Sequence, residues 1–163
     1  MRRTIETASP EETTRLGAAL GRALRGGEVI GLSGDLGAGK TQLVRGLAEG
    51  LDLSPDVIYS PSFTLVAEHE GRLRLNHIDL FRLGEPVEER DEEEIGLGDY
   101  LSPSGVTAIE WHEKLPGGGL SALTLGIEIA TGEGDRRTIE LVAAGERGRE
   151  ILTELVATVP ENR

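Results

Sequence analysis

The sequence contains no cysteine and no long apolar run, and both absences narrow the kinds of protein that it can encode. Without cysteine the chain can form neither disulfides nor a thiolate zinc site, and this composition agrees with a reducing compartment. No stretch approaches the roughly 18 apolar residues of a membrane-spanning helix, and the N-terminal segment MRRTIETASPEE lacks the apolar core of a signal peptide. We therefore predict a soluble, cytoplasmic protein without a membrane segment.

Basic residues are also scarce. Seventeen Lys and Arg stand against 29 Asp and Glu, which gives a formal net charge of −12. A surface that grips a nucleic-acid backbone needs a basic patch, so any role with nucleic acid is expected to be indirect. The 163 residues show no internal repeat and no linker, and they fit one domain spanning residues 1–163.

The first third of the chain alternates helix and strand patterns. Ser9, Pro10 and Glu12 form the capping pattern of a helix that continues through TRLGAALGRAL. The run EVIGLSG has the nearly continuous apolar character of a buried strand in a parallel sheet. A second helix pattern opens at Lys40 and ends near Gly50. A strand, a glycine-rich turn and a helix therefore follow one another directly.

The rest of the chain contains two patterns typical of β-hairpins. The first is FTLVAEH with RLRLNHID, and the second is LTLGIEIA with RTIELVA. Between them lie an acidic helix and loop, PVEERDEEEIGLGDYL, and a short strand, VTAIEW, and an amphipathic helix, ERGREILTELVATV, closes the chain. These patterns predict an α/β fold with a mainly parallel central sheet, antiparallel hairpin additions and helices on both faces.

The glycine-rich turn reads GDLGAGKT, and Gly34, Gly39, Lys40 and Thr41 fill the pattern GxxxxGK[ST]. Backbone N–H groups of such a loop surround a phosphate chain, the lysine adds charge at the outer phosphates, and the hydroxyl ligates Mg²⁺. Glycine is abundant here, with 23 residues, but Lys40 is one of only two lysines. We therefore predict a P-loop NTPase-like fold whose loop binds nucleotide through Gly34, Asp35, Leu36, Gly37, Ala38, Gly39, Lys40 and Thr41.

Two carboxylates follow apolar strands, where a nucleoside triphosphatase needs acids near its metal. Asp79 ends LNHID and Glu110 ends VTAIE, and either side chain could approach Mg²⁺ or orient the attacking water. The alternatives are a helix cap for Asp79 and a strand-end surface acid for Glu110. His77 is interpreted as a packed or hydrogen-bonding residue. The acidic run at residues 88–94 is either a solvated helix face or a docking surface for a basic partner.

The order GDLGAGKT, SPSFTLV, HIDLFRL and EW resembles the bacterial TsaE (YjeE) family, small ATPases of tRNA threonylcarbamoyladenosine synthesis. The resemblance implies ATP/ADP and Mg²⁺ as cofactors. It implies catalytic roles for Lys40, Asp79 and Glu110, metal ligation by Thr41 and Glu110, and a position for Asp79 near the outer phosphates. Trp111, the only tryptophan, is expected beside the site.

The segment SPSFT matches the mobile switch of that family, so Ser60, Ser62 and Thr64 are predicted to sense the terminal phosphate; an ordinary loop shaped by proline is the alternative. The chain departs from the family pattern in two places. Gln42 stands where the family usually has a second threonine, and Ser62 stands where it has threonine. Three arginines are candidates for a finger that contacts the phosphates: Arg82, Arg136 and Arg137.

The function implied by the resemblance is Mg²⁺-dependent hydrolysis of ATP that resets an assembly with TsaD and TsaB during modification of adenosine 37 in tRNAs reading ANN codons. The partners would hold the tRNA, which agrees with the negative charge of this chain. Two other classes of function remain open at this stage. They are a small-molecule kinase and a nucleotide-dependent regulatory module that does not hydrolyse ATP.

Overall fold

The computed structural model describes residues 1–61, 64–83, 96–101, 103–116 and 123–159. Seven strands in this part of the chain form one sheet, in the order β1-β7-β6-β2-β5-β4-β3. The strands are β1 Arg2–Thr7, β2 Val29–Ser33, β3 Val66–Glu70, β4 Arg74–Asp79, β5 Gly105–Glu110, β6 Leu125–Thr131 and β7 Arg137–Ala143.

The centre of the sheet is parallel. Strand β2 pairs in parallel with β5 on one side and β6 on the other, and β5 pairs in parallel with β4. The pairs β3–β4 and β6–β7 are the two antiparallel hairpins, and β1 adds antiparallel to β7. Both predicted hairpins and the predicted parallel centre are confirmed. Since β2, β4 and β5 run the same way, their carboxyl ends meet at one edge of the sheet.

The helices are α1 Pro10–Ala23, α2 Lys40–Gly50, α3 Leu97–Tyr100 and α4 Gly145–Thr158. The three long helices pack on one face, where Ile30 and Leu32 of β2 are fully buried in the larger core cluster. Val29 points to the opposite face, which α3 and neighbouring loops cover. The predicted fold class, with helices on both faces, is confirmed, although the face opposite α2 carries only the short α3 in the part of the chain described.

Helices α1 and α2 approach so closely that side chains would not fit between them. A Cβ on Gly46 would lie 2.0 Å from the Thr14 carbonyl oxygen, and a Cβ on Gly17 would lie 2.3 Å from the Leu43 carbonyl oxygen. Glycine at these positions lets the two backbones touch. This contact packs α2, which begins at the glycine-rich turn, directly against α1.

The predicted cap of α1 is confirmed: Glu12 N–H donates to Ser9 Oγ at 3.2 Å, and Ala8 N–H donates to the Glu12 carboxylate at 2.7 Å. Strand β1 was not predicted from the sequence. Of the acidic helix and loop expected at residues 86–101, residues 86–95 lie outside the described residues, and the short helix α3 covers Leu97–Tyr100. A helix long and apolar enough to cross a membrane does not occur in the described ranges.

Candidate nucleotide site

The turn between β2 and α2 has the backbone that its glycines predict. Gly34, Gly37 and Gly39 have φ values of +138°, +79° and +113°, which other residues rarely adopt. Gly34 also lies against β6, because a Cβ there would be 2.4 Å from the Ile129 carbonyl oxygen. The turn therefore depends on glycine for its conformation at three positions and for its packing at one.

Helix α2 starts at Lys40 without a side-chain cap, since its N-cap residue is Gly39. The first N–H groups of a helix have no partner within the helix and carry its positive dipole end, which together favour a phosphate. The turn is also fixed from the sheet. The guanidinium of Arg137 donates through Nε to the Ala38 carbonyl at 2.8 Å, so this predicted finger candidate supports the loop from β7.

Lys40 is buried, and its ammonium lies inside the turn. Nζ donates to the carbonyls of Gly34 and Asp35, the latter at 2.9 Å, and it lies 4.0 Å from the centroid of the Trp111 ring. Burial lowers the pKa of Lys40, while Glu110 and other nearby carboxylates act in the opposite direction. The ammonium thus rests on neutral acceptors and an aromatic face, which a phosphate could replace.

Thr41 and Glu110 meet at the carboxyl edge of the sheet. The Thr41 hydroxyl donates to Glu110 Oε1 at 2.8 Å, and His77 Nε2 lies 2.8 Å from the same oxygen. Glu110 is only 3% exposed, so the interpretation of it as a surface acid is wrong. The two predicted metal ligands are direct neighbours, and the hydroxyl and carboxylate are both hard oxygen donors of the kind that Mg²⁺ prefers.

Asp79 lies opposite Glu110 in the parallel register of β4 and β5, and it is 2% exposed. Its Oδ1 accepts the Phe81 N–H at 2.9 Å, and its Oδ2 accepts the Ser60 hydroxyl. Asp79 therefore caps the turn that follows β4, whereas the alternative interpretation expected it to cap a helix, and residues 80–83 form none. It also connects that turn to Ser60, the first residue of the predicted switch.

Trp111 follows Glu110 in the left-handed backbone region, with φ of +62°, a costly conformation for a non-glycine residue. Its N–H donates to the Leu32 carbonyl at 2.9 Å and so extends the pairing with β2. The turned backbone places the indole against Lys40 and at 5.3 Å from the Phe81 ring centroid. The predicted position of Trp111 beside the site agrees with this contact.

A cleft of about 330 Å³ opens above these groups. It gathers many of the predicted residues together with three that the predicted set omits, Gln42, Arg45 and Phe81. Its lining residues are Leu36, Gly37, Gly39, Lys40, Thr41, Gln42, Arg45, Ser60, Asp79, Phe81, Glu110 and Trp111.

Other predicted residues lie away from the cleft lining. The Thr64 hydroxyl donates to the Val66 carbonyl at 3.2 Å, and Ser62 lies outside the described residues. Arg82 and Arg136 are not among the described residues that line the cleft. Their predicted roles at the phosphates remain predictions.

Comparison with known proteins identifies the family of this chain. A family model described as "Threonylcarbamoyl adenosine biosynthesis protein TsaE" matches residues 7–139. The chain belongs to the TsaE family. TsaE of Bacillus subtilis is 36% identical over 154 residues, covering 91% of this chain and 90% of that protein. TsaE of a Nostoc species is 48% identical over 115 residues, covering 69% of each chain.

A solved structure supports the same assignment. The crystal structure of YdiB from B. subtilis matches with a TM-score of 0.76 at 32% identity, covering 97% of this chain and 96% of that one. The resemblance read from the motifs is confirmed, as is the P-loop type of fold. The role that comes with TsaE membership is in tRNA threonylcarbamoyladenosine biosynthesis.

Gln42 departs from the TsaE pattern, and its amide has a defined place. Nε2 donates to the Thr14 hydroxyl on α1 at 2.5 Å, and Oε1 accepts from Arg45 Nη1 at 3.3 Å. Arg45 Nε in turn donates to the Ile58 carbonyl at 3.1 Å, two residues before Ser60. Gln42 therefore links α1 to the segment that leads into the predicted switch.

Proposed function

We propose that this protein binds ATP with Mg²⁺ in the cleft above Lys40 and hydrolyses it. The observation that carries the proposal is the contact of Thr41 with Glu110 at 2.8 Å, one residue after the lysine of a glycine turn and at the start of an uncapped helix. In P-loop NTPases the equivalent hydroxyl and acid hold the metal beside the outer phosphates. The residues present fit both the phosphates of ATP and the Mg²⁺ ion.

Each side chain has a distinct task in this proposal. The backbone of Gly34 to Gly39 surrounds the phosphates, and Lys40 exchanges its two carbonyl contacts for the outer phosphate oxygens. Thr41 and Glu110 hold the metal, which supplies charge neutralisation when bound. Asp79 lies beside Glu110 in the sheet and orients the attacking water near the outer phosphates, since the chemistry needs positioning more than a covalent step.

Ser60 connects hydrolysis to the surface of the protein. Its hydroxyl donates to Asp79, so removal of the terminal phosphate can be sensed through this contact. Ser62 and Thr64 belong to the same proposed switch. The segment would then change its fit to a partner when ATP becomes ADP.

We assign the ATPase cycle to the assembly that forms threonylcarbamoyladenosine in tRNA, with TsaD and TsaB as partners, in the cytoplasm. The family role in this biosynthesis supports the assignment. The net charge of −12 favours a division of labour in which partners rather than this chain hold the tRNA.

The test is ATP hydrolysis by the purified protein, alone and with TsaD and TsaB, beside a Lys40→Ala variant. We expect turnover that appears or rises with the partners and is absent in the variant. Nucleotide binding is followed in the same samples by Trp111 fluorescence, because the indole lies 4.0 Å from the Lys40 ammonium. Binding without turnover in either condition would replace the ATPase with a nucleotide-dependent regulatory module.

A further inference from the structure

His77 is one of three polar residues that are buried on β4, together with Asn76 and Asp79. It lies in the middle of β4 and is 0% exposed. In the register of the sheet its neighbours are Ala67 on β3 and Ala108 on β5, two small residues that leave room for the ring. Burying an imidazole costs free energy unless it is hydrogen-bonded, so its contacts indicate why it is there.

The polar contact of His77 within the described residues is Glu110. Nε2 lies 2.8 Å from Glu110 Oε1, while Nδ1 is buried and has no hydrogen-bond partner in the described part of the chain. An ionised carboxylate only accepts hydrogen bonds, so Nε2 carries the hydrogen in this pair. The contact to Glu110 therefore fixes the tautomer of the ring.

The same oxygen of Glu110 also accepts the Thr41 hydroxyl at 2.8 Å. Both contacts end on Oε1: one comes from Thr41 in the first turn of α2, and the other comes from His77 on the neighbouring strand β4. Two contacts on one oxygen restrict the rotation of the carboxylate, and Glu110 lines the cleft.

We infer that His77 is a positioning residue that holds the Glu110 carboxylate in the orientation required for the metal. The inference rests on the proposed function, because it concerns the same carboxylate. Hydrogen-bond partners of metal-binding carboxylates orient them, and their loss typically weakens metal affinity or activity by about 10- to 100-fold. His77 acts through Glu110 and contacts neither nucleotide nor metal.

The test compares His77→Gln with His77→Asn in the full chain. The glutamine amide reaches about as far as Nε2 and can still donate to Glu110, whereas the asparagine amide is polar but too short. The Kd for ATP is measured by calorimetry over a series of Mg²⁺ concentrations and again in EDTA. Mg²⁺ is expected to strengthen the binding of ATP. We expect the asparagine variant to need about 10- to 100-fold more Mg²⁺ than wild type to reach half of that increase in affinity. The glutamine variant is expected to recover most of this loss.

His69 provides the matched control. It lies on β3 of the same hairpin, and its Nε2 is buried without a hydrogen-bond partner among the described residues. We expect His69→Asn to keep the wild-type Mg²⁺ dependence. We also expect all variants to bind ATP equally in EDTA, because His77 does not touch the phosphate turn.

Three outcomes would overturn the inference. If His77→Asn keeps the wild-type Mg²⁺ dependence, the contact does not position Glu110. If it loses ATP in EDTA as well as in Mg²⁺, or if glutamine restores nothing, His77 has a structural role only. If the wild-type chain binds no nucleotide, the proposed function fails and the inference falls with it. The wild-type titration thus separates the two failures.

Discussion

Two glutamates at opposite ends of the central sheet are equally buried but differently bonded. Glu28 immediately precedes β2 and is 2% exposed; Glu110 ends β5, pairs with Leu32 near the far end of β2 and is 3% exposed. Buried carboxylates are expensive unless they are paired, so both require an explanation.

Glu28 has donors on both oxygens. The N–H groups of Arg25 and Gly26 donate to it at 3.0 and 2.7 Å, and Arg147 of α4 donates through Nε at 2.9 Å. Burial alone would raise the pKa of Glu28, but these donors outweigh it and lower the pKa. Glu28 is therefore a completed structural contact that ties the last helix to the sheet.

Glu110 receives two donors on one oxygen, and its closest described partners are the hydroxyl of Thr41 and the imidazole of His77. No arginine or lysine forms an ion pair with it among the described residues, although Lys40 is near. Glu28, with donors on both oxygens, stabilises the fold, whereas Glu110, which has both of its described donors on one oxygen and lines the cleft, is the carboxylate that we propose for the cation.

The largest expected effect comes from Glu110→Gln, which removes the charge and keeps the shape. Glutamine can still accept from Thr41, so the fold is expected to persist. We expect partner-stimulated ATP turnover to fall by about 100-fold or more, because the metal loses a charged ligand. Steady-state kinetics over a range of Mg²⁺ concentrations measures this loss. Turnover within a factor of a few of wild type would mean that Glu110 is no more functional than Glu28.

The opposite result is expected for Glu28→Gln. This change removes the charge of Glu28 from Arg147, whose side chain is 27% exposed and keeps its contact with Glu150 at 3.0 Å, and we expect it to lower the free energy of unfolding by about 1 to 2 kcal/mol. Turnover per folded molecule should not change, since Glu28 is at the far end of β2. Urea unfolding followed by circular dichroism tests the first expectation, and the ATPase assay tests the second. A large loss of turnover in folded protein would contradict the comparison.

The sequence predicted the parts of the site that are local in the chain. Strand, glycine turn and helix follow one another over residues 28–50, and four residues at fixed spacing identify the turn. The scarcity of lysine was also informative, because both Lys40 and Lys114 are buried and donate to backbone carbonyls. Arginine supplies most of the remaining positive charge, so a lysine marks a position where a compact cation is needed.

The parts that the sequence did not predict depend on contacts between distant residues. Strand β1 is an edge strand with mostly polar residues, and only its pairing with β7 defines it. The partner of His77 depends on the parallel register of β4 and β5. Arg45 did carry a signal, since it follows Thr41 by four residues and so shares its helix face. No pattern in the sequence indicated the positive φ of Trp111.

Asp79→Asn sharpens the comparison, because Asp79 combines a structural contact with a place beside Glu110. Asparagine can still accept the Phe81 N–H, so we expect the free energy of unfolding to change by less than about 1 kcal/mol. Turnover is expected to fall by about 10- to 100-fold, from the loss of charge beside the outer phosphates. Asp79→Ala should lose the same turnover and add about 1 kcal/mol of destabilisation. If only the alanine variant loses turnover, Asp79 acts mainly as a cap.

The smallest expected effect is the acid dependence of the Glu28 contact. The pKa of Glu28 is lowered below 4.5, so in the window just under that value the unfolded chain binds a proton that the folded chain does not. The stabilisation from Glu28 is therefore complete above pH 4.5 and is lost as the pH falls through the lower, folded pKa.

Urea unfolding of wild type and Glu28→Gln between neutral and acidic pH measures this loss, because Glu28→Gln lacks the titrating group. We expect the stability difference between the two proteins to shrink as the pH falls below 4.5. A difference that stays constant into strong acid would mean that protonation of Glu28 does not weaken its contacts with Arg147 and the two N–H donors, and the charge of Glu28 would then contribute nothing to the fold.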